Sequence, residues 1–390
     1  MTTTPEPDAA RTEGASTEGL AALRVPGHLV EHELATKSLR RRILEAVISL
    51  GVIVGLFVFA IPAITGSGYA EIFDAIRQLT LVEFLELTGF WILVMLVYSG
   101  VLTSSLPGLT HPQALVLNFA GSAVSNVVPF GGAAGVATTY TMTMSWGLPV
   151  PAVTLSILVS GIWNVLTKMA IPIIALTILA VAGRRTAGLV VPTLVGLAVL
   201  VGGIVVLTLV LRSEALAEGI GRLAQRFGTR LMRLLRRPPT ADWGQAVLDF
   251  RHNSIGLIRD RWKSLTMWML LYNLGQYVLL LMCVRMLGAT NDQLGWIEVL
   301  AAFAFANILT TVAITPSGVG FVEAGTVAAL IAFGGNDVGS AAAVFLFRGY
   351  TYLLEIPVGA LGWVVWATRH SWRKPVTSSA EPVAPASVGR

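Results

Sequence analysis

Thr315-Pro316-Ser317-Gly318-Val319-Gly320-Phe321-Val322-Glu323 interrupts an otherwise apolar stretch that runs from Ala301 to Trp363. It sets a helix breaker, two glycines and a carboxylate where lipid-compatible side chains are expected. Proline removes a backbone donor and crowds the preceding turn, and glycine lets the backbone bend and approach a neighbour closely. In hydrocarbon such a break survives only when it is buried in protein or lines a wet cavity. Arg348 and Glu355 follow inside a second apolar segment, where each charge costs roughly 2.5–3.5 kcal/mol on insertion scales. Charges that costly have partners or a function.

Composition agrees with a membrane setting. Hydrophobic residues make up 54% of the 390, charged residues only 13%, and the mean hydropathy is +0.72, above what a soluble globular domain reaches. The chain therefore reads as an all-α, polytopic integral membrane protein. The single cysteine, Cys283, excludes an intrachain disulfide, and the five histidines fall outside the apolar runs. No His/Cys metal site and no cofactor are expected.

Outward from the opening stretch the chain divides as follows. Residues 1–40 carry Thr, Pro, Glu, Ala and Gly without periodicity and read as a disordered cytoplasmic tail, not a signal peptide. Lys37 and Arg40 to Arg42 precede the apolar run Ile43–Ile64, which by the positive-inside rule puts the N-terminus in the cytoplasm. Phe73, Ile76, Leu79 and Phe84 suggest a partly surface-lying helix before a span over Phe84–Leu106. Pro112–Gly147 holds polar residues including Asn118 and Asn126, then Pro129-Phe130-Gly131-Gly132. Each half is about 17 residues, or roughly 26 Å of helix, short of a hydrocarbon core near 30 Å. This predicts a re-entrant hairpin with its tip at Pro129. Val150–Ala182 follows as a long helix kinked at Pro172, with Ser156, Ser160, Asn164 and Lys168 four apart on one face. A span over Leu189–Leu211 leads to the basic segment 212–263, expected to be cytoplasmic, with Leu216, Ile220, Leu223, Phe227, Leu231 and Leu234 spaced as an amphipathic helix on anionic headgroups. Its basic residues are explained by the membrane, so no nucleic-acid partner is expected. A span over Leu265–Leu287 crosses outward, and Trp296–Ile314 leads to the Pro316 break. Thr326–Phe333 climbs back, Ser340–Ala367 crosses inward, and 370–390 forms a disordered cytoplasmic tail.

A 187-residue offset lays Pro129 on Pro316, Gly131 on Gly318, Gly147 on Gly334 and Lys168 on Glu355. Two hairpin-plus-helix units, about 112–182 and 296–367, then share one plan within a transmembrane domain of 41–369. Counting basic flanks, the first hairpin enters from the cytoplasm and the second from outside. Inverted repeats of this kind build secondary transporters, with broken elements meeting near the midplane. The expectation is six full spans plus two re-entrant hairpins.

Asn126-Val127-Val128-Pro129-Phe130-Gly131-Gly132, the late Thr315–Glu323 run, Phe347-Arg348-Gly349-Tyr350 and Glu355-Ile356-Pro357 together resemble the flippase-like transmembrane domain of bacterial lysylphosphatidylglycerol synthases, which also occurs as stand-alone proteins. The resemblance spans residues 40 to 368. It implies a lipid translocase of the bacterial cytoplasmic (inner) membrane that moves an aminoacylated or glycosylated lipid between leaflets. The chain stops at Arg390 without a soluble aminoacyltransferase domain, so translocation without synthesis is expected, with a separate lipid-synthesising enzyme as a possible partner. On the residues themselves, Arg348 suits a lipid phosphate, its fork donating to two oxygens. Glu323 and Glu355 suit a cationic headgroup or a coupling proton, and Lys168, Asn164 and Asn126 complete a polar groove. Equally open is a structural reading in which Arg348 pairs with Glu355 seven residues on, or with Glu323, while Lys168 snorkels. Gly131, Gly132, Gly318 and Gly320, with Pro316 and Ser317, read as backbone-bending tips.

Catalytic signals are weak. Ser371-Trp372-Arg373-Lys374 matches an S-x-x-K pattern only at the basic end of a span, and Gly318-x-Gly320 lacks a dinucleotide-binding context. No Walker phosphate loop is present. A small-solute or ion transporter remains the rival reading, and an enzyme of lipid modification, or its partner, a third.

Overall fold

A computed structural model describes residues 68–127, 131–183, 190–212, 243–288, 294–311 and 319–373, with a few single positions between 213 and 242. The expected tail 1–40, the span Ile43–Ile64, the apolar positions of the 216–234 helix, and the tips Pro129, Pro316, Ser317 and Gly318 lie outside these residues.

All regular structure among the described residues is helical. Helix α1 (Tyr69–Arg77) is short and buries Ile72. It accounts for part of the surface helix expected here, but Phe84 belongs to the next helix, α2 (Leu81–Ser105). Thr80 separates the two: its hydroxyl accepts from the Glu83 N–H while the Glu83 carboxylate accepts from the Thr80 N–H at 2.8 Å, a capping box that starts α2 three residues before the apolar run does.

Helices α3 (His111–Val127) and α4 (Gly131–Ser145) have 17 and 15 residues, roughly 26 and 23 Å at 1.5 Å per residue. They pack on each other. Helix α5 (Val150–Val181) is continuous over 32 residues with Pro172 inside it, and α6 spans Val190–Arg212.

Two boundaries differ from expectation. Helix α7 runs unbroken from Trp243 to Met286, whereas hydropathy places its start at Leu265. Arg259, Arg261 and Lys263 change polarity without breaking a helix, since basic residues are good helix formers. The Ser340–Ala367 span is in fact α10 (Asp337–Arg348), a π turn over Gly349–Leu353, and α11 (Glu355–Thr368). The Leu354 N–H reaches back five residues to the Gly349 carbonyl at 2.8 Å. Between α7 and α10 lie α8 (Trp296–Thr311) and α9 (Phe321–Ala332). At the chain's far end His370–Trp372 makes a 3-10 turn, and the Trp372 ring meets Trp146 edge-on at 6.0 Å.

Four stretches among the described residues are long and apolar enough to cross a membrane: Leu81–Ser105, Val150–Val181, Gly256–Met286 and Asp337–Thr368. The chain is thus a polytopic, all-helical membrane protein.

The 187-residue offset between Pro129 and Pro316 also aligns helix ends. It carries Ser145, the last residue of α4, onto Ala332, the last of α9, and Val150, the first of α5, onto Asp337, the first of α10. Gly147 falls on Gly334, and both adopt the left-handed conformation at φ 79° and 99°, which a side chain disfavours. Packing follows the same plan. Helix α3 lies along α11, and α8 lies along α5, so each broken pair rests on the long helix of the other unit, while α2 pairs with α7. In lipid the tails are as apolar as leucine, so close fit rather than water exclusion holds helices together. Accordingly Ala341, Ala342 and Ala343 are fully buried beside Leu279, Leu280 and Cys283, and a Cβ at Gly359 would strike the Phe119 carbonyl of α3.

Candidate functional site

The start of α9 decides where the late charges sit. Gly320 takes φ 84° and α9 begins at Phe321, so Glu323 stands in the first helical turn, where unsatisfied N–H groups favour an anion. Its carboxylate accepts from the Gly320 N–H at 2.7 Å and from Arg348 Nε at 2.5 Å. The Glu323 side chain is 3% exposed and that of Arg348 18%. The Arg348 guanidinium also lies 5.1 Å over the Tyr352 ring.

Of the two pairings the sequence left open, the structure therefore has Arg348 with Glu323. The π turn explains the choice. Seven residues of unbroken α-helix bring Arg348 and Glu355 within about 20° of each other. A π turn takes up one residue more, setting the downstream helix back by roughly 100°. Glu355 consequently turns toward α3, where Ser122 and Asn126 approach its carboxyl.

Two polar cavities result. One, of about 190 Å³, is lined by Asn273 and Gln276 of α7, Asn307 and Thr310 of α8, Glu323 and Arg348. Gln276 bonds the Tyr272 hydroxyl at 2.8 Å through one end of its amide, and the other end is buried without a partner. Lys168 reaches the rim, its Nζ donating to Thr310 Oγ1 at 3.1 Å. A lysine and an arginine thus stand against a single carboxylate here. The other cavity, about 300 Å³, lies among α2, α3, α4 and α5 and is lined by Asn118, Ser122, Asn126, Gly132, Ser156 and Ser160 among others. Asn126 and Tyr352 hold each other: Asn126 Nδ2 donates to the Tyr352 carbonyl at 3.2 Å, and the Tyr352 hydroxyl donates to the Asn126 carbonyl at 2.8 Å.

The polar face of α5 runs past both. Ser156 and Ser160 line the larger cavity, Lys168 stands at the rim of the smaller one, and Asn164, half-buried, lies between them in sequence. Tyr98 lines the larger cavity and Tyr272 the smaller. Their rings approach to 4.6 Å, making an aromatic wall between the two spaces. Gly131 begins α4, where a Cβ would overlap the Ser125 backbone, whereas at Gly132 a Cβ would meet open space.

The sequence reading did not single out Tyr98, Tyr272, Asn273, Gln276 or Asn307. The last three are polar residues inside apolar helices, the same signal that marked Asn164. The tyrosines carry no such mark, because tyrosine is ordinary in membrane helices.

Chemically, the smaller cavity offers a guanidinium fork and an ammonium for an anion, and a carboxylate and an amide for donors. Among the described residues no group of three His, Cys, Asp or Glu is disposed to hold a metal. The protein family described as the lysylphosphatidylglycerol synthase TM region matches residues 46–359, which include both cavities. No curated protein matches the chain.

Proposed function

Because the chain belongs to the family of the lysylphosphatidylglycerol synthase transmembrane region, and is thus a membrane protein of lipid metabolism or transport, we propose that it is a lipid translocase. It moves a phosphate-bearing, amino- or sugar-modified lipid between the leaflets of a bacterial-type cytoplasmic membrane, with both termini in the cytoplasm. It carries out no bond chemistry itself; a separate enzyme supplies the modified lipid.

The observation that carries this reading is the smaller cavity. Two cations, Arg348 and Lys168, stand there against the single carboxylate of Glu323, beside the buried and unpartnered oxygen of Gln276, inside a membrane domain where excess charge and an unsatisfied polar atom are costly. A headgroup with a phosphate and neighbouring donors satisfies them together. Arg348 binds phosphate oxygens while Glu323 orients the guanidinium from behind. The larger cavity, lined by Ser122 and Asn126, which Glu355 approaches from α11, then receives the same headgroup on the far side of the Tyr98–Tyr272 wall.

The reading treats the two units as an inverted repeat whose broken pairs, α3–α4 and α8–α9, re-enter from opposite faces. Support comes from helices too short for a 30 Å core, from the 187-residue register of helix ends, and from the reciprocal packing of each pair on the other unit's long helix. A leaflet-resolved lipidome of cells with and without the chain tests the function. An amino- or glycolipid retained in the inner leaflet on deletion is the expected result. Unchanged leaflet and total composition would instead favour a small solute, and loss of a modified lipid altogether would favour an enzymatic role.

A further inference from the structure

Beside the Arg348 cavity lies a groove of about 370 Å³ between α5, α7 and α8. It shares Asn273 and Phe303 with that cavity, so the two spaces adjoin at those residues. Its character is opposite. On α5 the wall is Ile171, Ile174 and Ile178, stacked at helical spacing beyond Lys168. On α8 it is Phe303, Leu300 and Trp296, running away from Asn307. Both helices thus change from polar to apolar along the same line, over about 10 Å from Phe303 to Trp296 at 1.5 Å per residue. The α7 side is Leu270, Leu271 and Leu274, and these, with Ile174 and Trp296, are exposed on the outer surface of the helices, Leu274 at 55%. The far end is marked by Trp296, a residue type that favours the membrane interface.

Resting on the translocase reading above, we propose that this groove is an acyl-chain subsite: it holds one fatty acyl chain of the lipid whose phosphate headgroup occupies the Arg348 cavity. The junction at Asn273 and Phe303 is where the glycerol region passes from the polar to the apolar compartment. A solute without a chain would have no use for an apolar groove adjoining the headgroup cavity. A lipid needs one, because its head and tail must be accommodated together while the head leaves the interface.

The test uses the purified chain in detergent and two phosphatidylglycerols of identical headgroup, dihexanoyl and dioctanoyl, with native mass spectrometry reading affinity. Dioctanoyl lipid is expected to bind about tenfold tighter, the gain when the two added methylenes of one chain enter the groove. Leu274→Trp and Leu270→Trp, which fill the groove from its exposed side, should remove most of that chain-length preference, weakening dioctanoyl binding far more than dihexanoyl binding. Arg348→Lys, which keeps the charge and loses the fork, should weaken both lipids equally. Chain-length preference unaltered by either tryptophan would overturn the inference, the tail being held by detergent or annular contact only. In that case binding that still depends on Arg348 leaves the headgroup reading standing. Loss of preference in the tryptophan variants with no dependence on Arg348 would overturn the coupling of groove to cavity, and with it the headgroup assignment.

Discussion

Replacing Arg348 by Met and Glu323 by Gln, singly and together, asks how strongly the central ion pair is coupled. The pair is close, 2.5 Å between Arg348 Nε and Glu323 Oε1, and poorly exposed at 18% and 3%. Removing one partner of a buried pair strands a charge and typically costs about 3–5 kcal/mol. The two single variants should differ within that frame. Arg348→Met leaves the carboxylate with the Gly320 N–H but without its cation, so it belongs near the top of the range. Glu323→Gln keeps an acceptor for Gly320 and leaves Arg348 over the Tyr352 ring, a contact of roughly 0.5–2 kcal/mol, so it should fall at or below the bottom. The double variant removes both charges at similar volume and should cost less than the sum of the singles, by about 1–3 kcal/mol of coupling. Titration with dodecyl sulfate in mixed micelles, followed by the fluorescence of the ten tryptophans, measures all three. Single effects that add to the double within roughly 0.5 kcal/mol would refute the view that the two charges depend on each other.

Gly359→Leu should lower the yield of folded, monodisperse protein, at a cost of about 1–3 kcal/mol or more for overpacking, because its side chain would meet the Phe119 carbonyl. Gly362→Ala should be milder, since a Cβ there meets its nearest neighbour at 3.3 Å. Thr80→Ala breaks the capping box of α2 and should cost about 1 kcal/mol in the same micelle titration, with Glu83→Ala giving a comparable loss. Cysteines placed at His111 and Ser145 should be labelled by an impermeant maleimide from one face of the membrane, and a pair at Trp296 and Ala332 from the other; buried Cys283 keeps the background low. A cysteine at exposed Val127, between α3 and α4, labelled from the face opposite to His111 and Ser145 would make α3 and α4 ordinary spans, because two full crossings return the chain to its starting face. Tyr98→Ala should open the wall between the cavities, read in reconstituted vesicles as faster and less selective lipid exchange, and an unchanged exchange rate would assign the ring to packing alone.

Much of this architecture was legible because glycine and proline punctuate an apolar background clearly. Gly147 and Gly334, laid on each other by the 187-residue offset, share a left-handed backbone, while the expected tips Pro129 and Pro316 lie outside the described residues. Arg348, Glu323, Glu355 and Lys168 were legible because charge is rare in such a background. Their grouping was not. A spacing of seven brings Arg348 and Glu355 together only if the helix is regular, and nothing in Gly349-Tyr350-Thr351-Tyr352-Leu353 announces a π turn; it follows from which neighbours Tyr350 and Tyr352 find, Thr88 and Asn126 respectively. The start of α7 was missed for a related reason. Hydropathy reports where lipid begins, and the backbone is free to remain helical well outside it.

A π turn is in effect one residue that a regular helix has absorbed without disturbing what lies on either side. Helices α10 and α11 keep the phase of an uninterrupted helix one residue shorter. Loss of Thr351, whose hydroxyl bonds only within its own helix, to the Phe347 carbonyl at 3.0 Å, would therefore leave Glu355 facing α3 and Arg348 facing Glu323. Loss of Ala342, in the regular part of α10, would instead swing every residue beyond it by about 100° and pull both charges off their partners. The stretch between the two charges is thus where this fold can tolerate a change in chain length, although it lies at the centre of the molecule rather than in a loop.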